Sequence, residues 1–286
     1  SIYAAPGRIN LIGEHTDYNG SFVFPGAVQQ GMMAEIKPNG TRIVRAYSID
    51  LKDYAEFSLD DEKGPSATHF RYIFGVCREM MALGIPVEGF NTAFAGDVPL
   101  GAGMSSSAAL ESCFAFALDD LFGKGDTDRM TLAKVGQATE HKYIGVNCGI
   151  MDQFASAMGK KDYAIFLDTS DLRYAYAPVD LSEYALVITN SHKIRGAFDA
   201  KYNERRLECE RALAELQSVV AIQSLGELTP ECYEQVKEMI VEPVLVKRAA
   251  HAVYENQRTM DALQALKDYD AVKFGQLMTE SHRSLR

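Results

Sequence analysis

No stretch of this 286-residue chain approaches 18 consecutive apolar residues, so a membrane-spanning helix is not expected. Positive charge is in short supply: 29 Lys and Arg stand against 39 Asp and Glu, a net charge of −10. An acidic surface repels nucleic acid and anionic membranes, and neither is expected as a partner. A polyanionic ligand therefore needs a local site with its own positive field. The five cysteines, Cys77, Cys113, Cys148, Cys209 and Cys232, form no CxxC pair and no metal-finger spacing. They read as reduced thiols of a cytoplasmic protein, acting mainly as small buried apolar groups. The GxxxxGK[ST] P-loop and the GxSxG nucleophile elbow are both missing, as are internal repeats and low-complexity segments. No signal peptide is visible. No Met opens the chain, and Arg286 falls inside a predicted helix, so both ends read as cut from a longer protein.

Apolar residues make up 47% of the chain and charged residues 24%, an ordinary globular balance. The length exceeds that at which one core stops growing, so two domains are expected. Apolar runs at 2–5, 32–36, 43–47 and 54–58 predict strands, with Pro38-Asn39-Gly40 as a tight turn. Helical spacing over 70–81 is ended by Gly84 and Pro86. A strand at 90–95 leads through a Gly- and Pro-containing loop at 97–103 into a helix over 105–122, closed by Gly123. A further helix is predicted at 132–143, and strands at 163–167, 173–176 and 185–189. Beyond residue 197 the pattern is helical: 198–221, 230–240, 243–266 and 270–285. This shift places a domain boundary near 178–185, giving an N-terminal domain over 1–180 and a C-terminal domain over 181–286. The class is α+β, without the regular βαβ alternation of a doubly wound sheet.

Three segments carry chemistry. Residues 7–20, GRINLIGEHTDYNG, pack one cation, two carboxylates, a His and two amides into a short loop-like stretch. Ionised carboxylates accept from sugar hydroxyls, while His and Asn donate as well as accept, so the cluster suits a polyhydroxylated ligand. The plainer alternative is a polar turn with solvated charges. Residues 99–111, PLGAGMSSSAALE, are a small-residue loop leading into a helix. Helix N-terminal N–H groups attract anions, glycines let phosphate approach, and serine hydroxyls can bond phosphate or Mg²⁺. The alternative is a Ser-capped helix after a glycine turn. In residues 148–154, CGIMDQF, a lone Asp in an apolar stretch needs a partner or a task, unless it caps a helix. Glu140 and His141 lie just upstream. Together these supply a phosphate cradle, a metal carboxylate, a cation and a group to orient or deprotonate a hydroxyl, the parts of a phosphotransferase.

The three segments resemble the galactokinase branch of the GHMP small-molecule kinases. GRINLIGEHTDYNG is similar to the branch's sugar signature, PLGAGMSSSAALE to the superfamily phosphate loop, and CGIMDQF to the segment bearing its catalytic Asp. The resemblance implies two α+β domains with the active site in the cleft between them. It implies ATP and Mg²⁺ as cofactors, and phosphate transfer to the anomeric hydroxyl of α-D-galactose. By position, Arg8 and Asp152 match the catalytic pair. Glu14, His15, Asp17, Gly149, Asp152 and Tyr202 match sugar-holding positions. Gly101, Ala102, Gly103, Met104, Ser105, Ser106 and Ser107 match the triphosphate cradle, and Ser107 and Glu140 the Mg²⁺ ligands. Arg8 beside Asp152 creates a conflict, because an adjacent cation weakens a carboxylate as a base. Asp152 as general base and Asp152 as orienting group both stay open. Two departures stand out. The superfamily's C-terminal glycine-rich motif is absent, and residues 69–72 read His-Phe-Arg-Tyr where relatives often carry a Trp near the adenine. A kinase for a related sugar, such as N-acetylgalactosamine, arabinose or a uronic acid, and a catalytically silent sugar sensor are the competing readings. No role is expected for His69, His192, His251 or His282 beyond surface or packing. The Arg205-Arg206 pair is expected on a solvated helix face.

Overall fold

Met32, Ala34 and Ile36 are buried while Met33 and Glu35 are exposed, the period-two alternation of a strand with one face on a core. The computed structural model describes residues 1–99, 101–180, 182–190 and 198–286; Leu100 of the expected phosphate loop and His192 lie outside the described residues. In chain order the elements are β1 (Ile2–Asn10), β2 (Phe22–Val23), β3 (Pro25–Pro38), β4 (Ile43–Ser48), β5 (Asp53–Ser58), α1 (Thr68–Ala82), β6 (Phe90–Gly96), α2 (Ser106–Phe122) and α3 (Arg129–Thr139). A π-helical turn (Glu140–Ile144) follows, then α4 (Met151–Met158), β7 (Tyr163–Asp168), β8 (Tyr174–Pro178), α5 (Phe198–Leu216), α6 (Pro230–Val236), α7 (Pro243–Lys267) and α8 (Ala271–Leu285).

These elements form two compact units. The first is built chiefly from Ser1–Ile9 and Ala27–Gly159. Its five-stranded sheet has the order β1-β3-β6-β4-β5. β3 runs antiparallel to β6, from Met32↔Gly96 to Pro38↔Phe90, and β4 runs parallel to β6. The parallel pair requires a crossover, and β5 with α1 provides it. Ile36, Phe70, Phe74, Phe90 and Phe114 fill the core between sheet and helices.

The second unit contains Asn10–Gly26, Lys160–Ile188 and the helical segment ending at Arg286. Its sheet has the order β2-β7-β8, antiparallel throughout. Leu216, Leu225, Tyr233, Leu245 and Val253 form one helical core. Ile12, Phe24, Ala262 and Leu277 form another beneath the sheet. Among the described residues the chain passes between units after residues 9, 26, 159 and 188; composition pointed to one boundary near 178–185.

Three local expectations change. Residues 185–189 form no strand: Val187 is 81% exposed, and β-branched residues make a strand only where a ladder partner is at hand. The stretch 7–10, read as loop-like, continues β1, and the turn begins only after Ile12, where Leu11 and Phe24 pair through their backbones. The helix expected over 132–143 ends as α-helix at Thr139 and widens into the π turn, a distortion that often accompanies function. Among the described residues no helix is long and apolar enough to cross a membrane. All five cysteines are free; burial pushes the Cys113 thiol up to about 12, which fits an inert packing role.

Candidate active site

In the first unit the extended backbone of β1 carries Arg8 against the loop before α2. The Arg8 N–H donates to the Met104 carbonyl at 3.1 Å. Gly7 makes that approach feasible, because a Cβ there would stand 2.6 Å from the same oxygen. The Arg8 side chain then spans loop and helix. Nε and Nη2 donate to Asp152 Oδ1 at 2.8 and 2.7 Å, and Nη1 donates to the Gly103 carbonyl at 2.6 Å. Asp152 Oδ2 accepts from Ser105 Oγ at 2.5 Å. Arg8 and Asp152 are 13% and 28% exposed, shielded from bulk water yet within a ligand's reach.

The loop adopts its shape through left-handed residues: Gly101 (φ +72°), Gly103 (φ +75°) and the non-glycine Ser105 (φ +55°). Glycine takes this conformation freely; for serine it is strained, and the bond to Asp152 helps to hold it. Gly101 and Gly103 are exposed, Ala102, Ser106 and Ser107 half-buried, and Met104 and Ser105 buried. Ser105, the N-cap of α2, makes no side-chain capping bond, its hydroxyl going to Asp152 instead, and the N-terminal N–H groups of α2 carry the positive end of the helix dipole.

Asp152 lies in the first turn of α4. The loop ahead of it is fixed by His141, whose Nε2 lies 2.8 Å from the Cys148 carbonyl oxygen. A carbonyl only accepts, so this nitrogen carries the hydrogen. Gly149 is buried at the end of that loop, and Glu140, also buried, opens the π turn. Glu111 of α2 is fully buried and accepts from Gln153 Nε2 at 3.0 Å. Burial raises its pKa well above the carboxylate range, and the charges of Glu140 and Asp152 add to the effect. Glu111 thus stands as a neutral acid among two carboxylates.

The second unit holds the remaining sugar candidates. Glu14, His15 and Asp17 follow β1 on one turn. Asn10 Nδ2 donates to Glu14 Oε1 at 2.9 Å. The His15 ring lies 5.6 Å from the Tyr202 ring of α5, and both contact Tyr18, whose hydroxyl is 2.8 Å from His15 Nδ1. Burial, with Arg205, His251 and Arg248 nearby, pushes His15 down to about 3, so the imidazole is neutral. Burial pushes the Tyr18 phenol up, with Asp17 contributing, so the two share one hydrogen between Oη and Nδ1. Arg205 departs from the solvated-face expectation. It is half-buried, burial lowers its pKa, and its charge reaches His15 and Tyr18.

Sequence reasoning missed Tyr18, Asn10, the Ser105–Asp152 bond, Glu255 and His251. For His251 and Glu255 a signal existed: two polar residues at i, i+4 fall on one face of α7, in line with the buried Ala262.

Residues 71–160 match the GHMP kinases N terminal domain, and residues 1–38 match the galactokinase galactose-binding signature. The mevalonate kinase of Methanococcus jannaschii, 19% identical, shares the fold with a TM-score of 0.62 over 100% of this chain and 78% of its own. The class is therefore that of the GHMP kinases. The galactokinase of Clostridium acetobutylicum is 48% identical over 100% of this chain and 74% of its own length, and that of Enterococcus faecalis 45% identical over 100% and 75%. The structure of Lactococcus lactis galactokinase complexed with galactose is 41% identical and superposes with a TM-score of 0.94, covering 99% of this chain and 74% of that one. The chain belongs to the galactokinase family and is a phosphotransferase.

Proposed function

We propose that this protein moves the γ-phosphoryl group of ATP onto the anomeric hydroxyl of α-D-galactose, with Arg8 and Asp152 as the catalytic pair. The observation that carries the reading is the Arg8 side chain, which joins Asp152 to the Gly103 carbonyl of the phosphate loop in one unit. The N-terminal positive end of α2 and the loop of residues 101–107 hold the triphosphate. The hydroxyl of the sugar takes the place beside Asp152 Oδ2 now held by Ser105 Oγ, an O–H···O⁻ contact of the required kind. As the new O–P bond forms and the bond to ADP breaks, the hydroxyl proton passes to Asp152, and the Arg8 cation offsets the charge on the transferring group. Glu14, His15, Asp17, Gly149 and Tyr202 hold the sugar. Neutral His15 suits that role, because an uncharged imidazole donates and accepts at once.

Ser107 and Glu140 are the proposed Mg²⁺ ligands. Both offer hard oxygen donors, the kind that suits Mg²⁺. That fits an ion held by one carboxylate, a hydroxyl and substrate phosphates. Bound there, Mg²⁺ would neutralise phosphate charge.

The test is ATP-dependent phosphorylation across a sugar panel, with Asp152→Ala as control. Turnover of galactose, lost in the variant, supports the reading. Turnover of another sugar alone moves the assignment to that sugar, and binding without turnover leaves a sensor.

A further inference from the structure

Between Gly13 and Tyr18 the backbone enters the left-handed region twice, at Gly13 (φ +93°) and at His15 (φ +60°). The histidine carries a cost that the surroundings must offset. Such a turn also leaves its peptide groups off any ladder, and buried peptide groups need partners. Those partners come from the far end of the chain. Glu255 of α7, fully buried, accepts at Oε1 from the N–H groups of Gly13 (3.0 Å) and Glu14 (3.1 Å). The same oxygen accepts from Ser281 Oγ of α8 at 2.6 Å, while Oε2 accepts from Arg258 Nε at 2.8 Å. One helical turn away, His251 Nε2 lies 2.8 Å from the Glu14 carbonyl oxygen and Nδ1 lies 2.8 Å from Ser284 Oγ. The carbonyl can only accept, so Nε2 carries the hydrogen and Nδ1 accepts from the serine. Burial lowers the His251 pKa and keeps this neutral tautomer. Glu14 is therefore gripped at its N–H, at its C=O and, through Asn10, at its carboxylate.

We propose that Glu255 and His251 are positioning residues for sugar recognition, two side chains one turn apart that hold the 13–15 turn in the conformation presenting Glu14 and His15 to galactose. The proposal rests on Glu14 and His15 being sugar contacts. Helix packing alone does not call for this arrangement. A buried carboxylate is costly to desolvate, and an apolar residue on the same face would pack as well or better. What the carboxylate adds is an acceptor for two successive backbone N–H groups.

The test compares Glu255→Gln, His251→Leu and His251→Gln by steady-state kinetics, varying galactose and ATP separately. Glu255→Gln keeps the volume but replaces one of the two acceptor oxygens by an NH2 donor, which must face either the Gly13 and Glu14 N–H groups or Arg258. His251→Leu removes the Nε2–H, and His251→Gln returns an N–H at similar reach. In Glu255→Gln and His251→Leu the galactose KM should rise about tenfold or more, with the ATP KM within about twofold of wild type; His251→Gln should recover most of the loss. A general loss of folding would lower the active fraction without raising one KM selectively. An unchanged galactose KM, or equal rises in both KM values, overturns the proposal. If Glu255→Gln does not fold, the His251 pair decides alone. Glu14→Ala separates the layers. If it keeps the wild-type galactose KM, the sugar-contact reading fails and the proposal with it. If it loses galactose while Glu255→Gln and His251→Leu do not, the positioning proposal alone fails.

Discussion

Replacing Gly7 by alanine should disable the proposed Arg8–Asp152 pair without touching a charged atom. Gly7 lies outside the left-handed region, so alanine meets no backbone penalty there and the effect is one of contact. The new Cβ would stand 2.6 Å from the Met104 carbonyl oxygen and 3.3 Å from Val98 Cγ2. To reach an ordinary contact of 3.4 Å, strand and loop must separate by about 0.8 Å. The Arg8 N–H bond to that same oxygen, now 3.1 Å, would stretch to roughly 3.9 Å and be lost. Overpacking of this kind costs about 1–3 kcal/mol, and the lost bond about 1 kcal/mol more. For a protein of this size the melting temperature should fall by about 4–12 °C. Arg8 also anchors Gly103 and Asp152, so a shift approaching 1 Å should lower kcat by about 100-fold. Thermal denaturation and steady-state kinetics measure the two effects. Gly40→Ala is the control: Gly40 has φ +67° and no neighbour within 4 Å of a Cβ, so it should lose about 1 kcal/mol and no activity. Wild-type kcat and melting temperature in Gly7→Ala would refute the argument that this close approach sets the position of Arg8.

Two buried groups give pH signatures of opposite sign. Glu111 has a folded pKa raised above the ordinary 4.5, so the folded state binds more protons than the unfolded one above that pH. Its contribution is fully present below about pH 4.5 and is lost as pH rises, so Glu111→Gln should melt progressively higher than wild type as pH is raised from 4.5 towards 8. Equal melting temperatures across that range would mean the carboxyl is not held neutral. His15 has a folded value of about 3 against an ordinary 6.5, so the unfolded state binds the extra proton in that window. Wild type should lose stability as pH falls from 6.5 by up to about 1.4 kcal/mol per pH unit. His15→Asn, whose side chain tolerates the left-handed backbone, should lose less; parallel pH profiles would count against a buried neutral imidazole.

The sequence by itself determined the local elements and the chemistry on offer. The apolar run over 32–36 and the helical spacing over 70–81 survive in β3 and α1, because side-chain period is a property of the local backbone. The glycines before α2 announced a loop, and there Gly101 and Gly103 take the left-handed conformation that glycine adopts freely. The order of the three motifs pointed to a sugar kinase of the GHMP type, and the relatives agree. Only the tertiary structure decided which residues meet. Arg8 and Asp152 are 144 positions apart, and Gly13 and Glu255 are 242 apart. No local pattern encodes such distances, because long-range contacts follow from how sheets and helices pack. Packing likewise left residues 185–189 without a ladder despite their β-branched composition. It also placed His251, read from sequence as a surface or packing residue, between Ser284 and the Glu14 carbonyl. A side chain's chemistry is written in its own residue; its partners are set by the fold, since burial and hydrogen-bond satisfaction are properties of the whole packed unit.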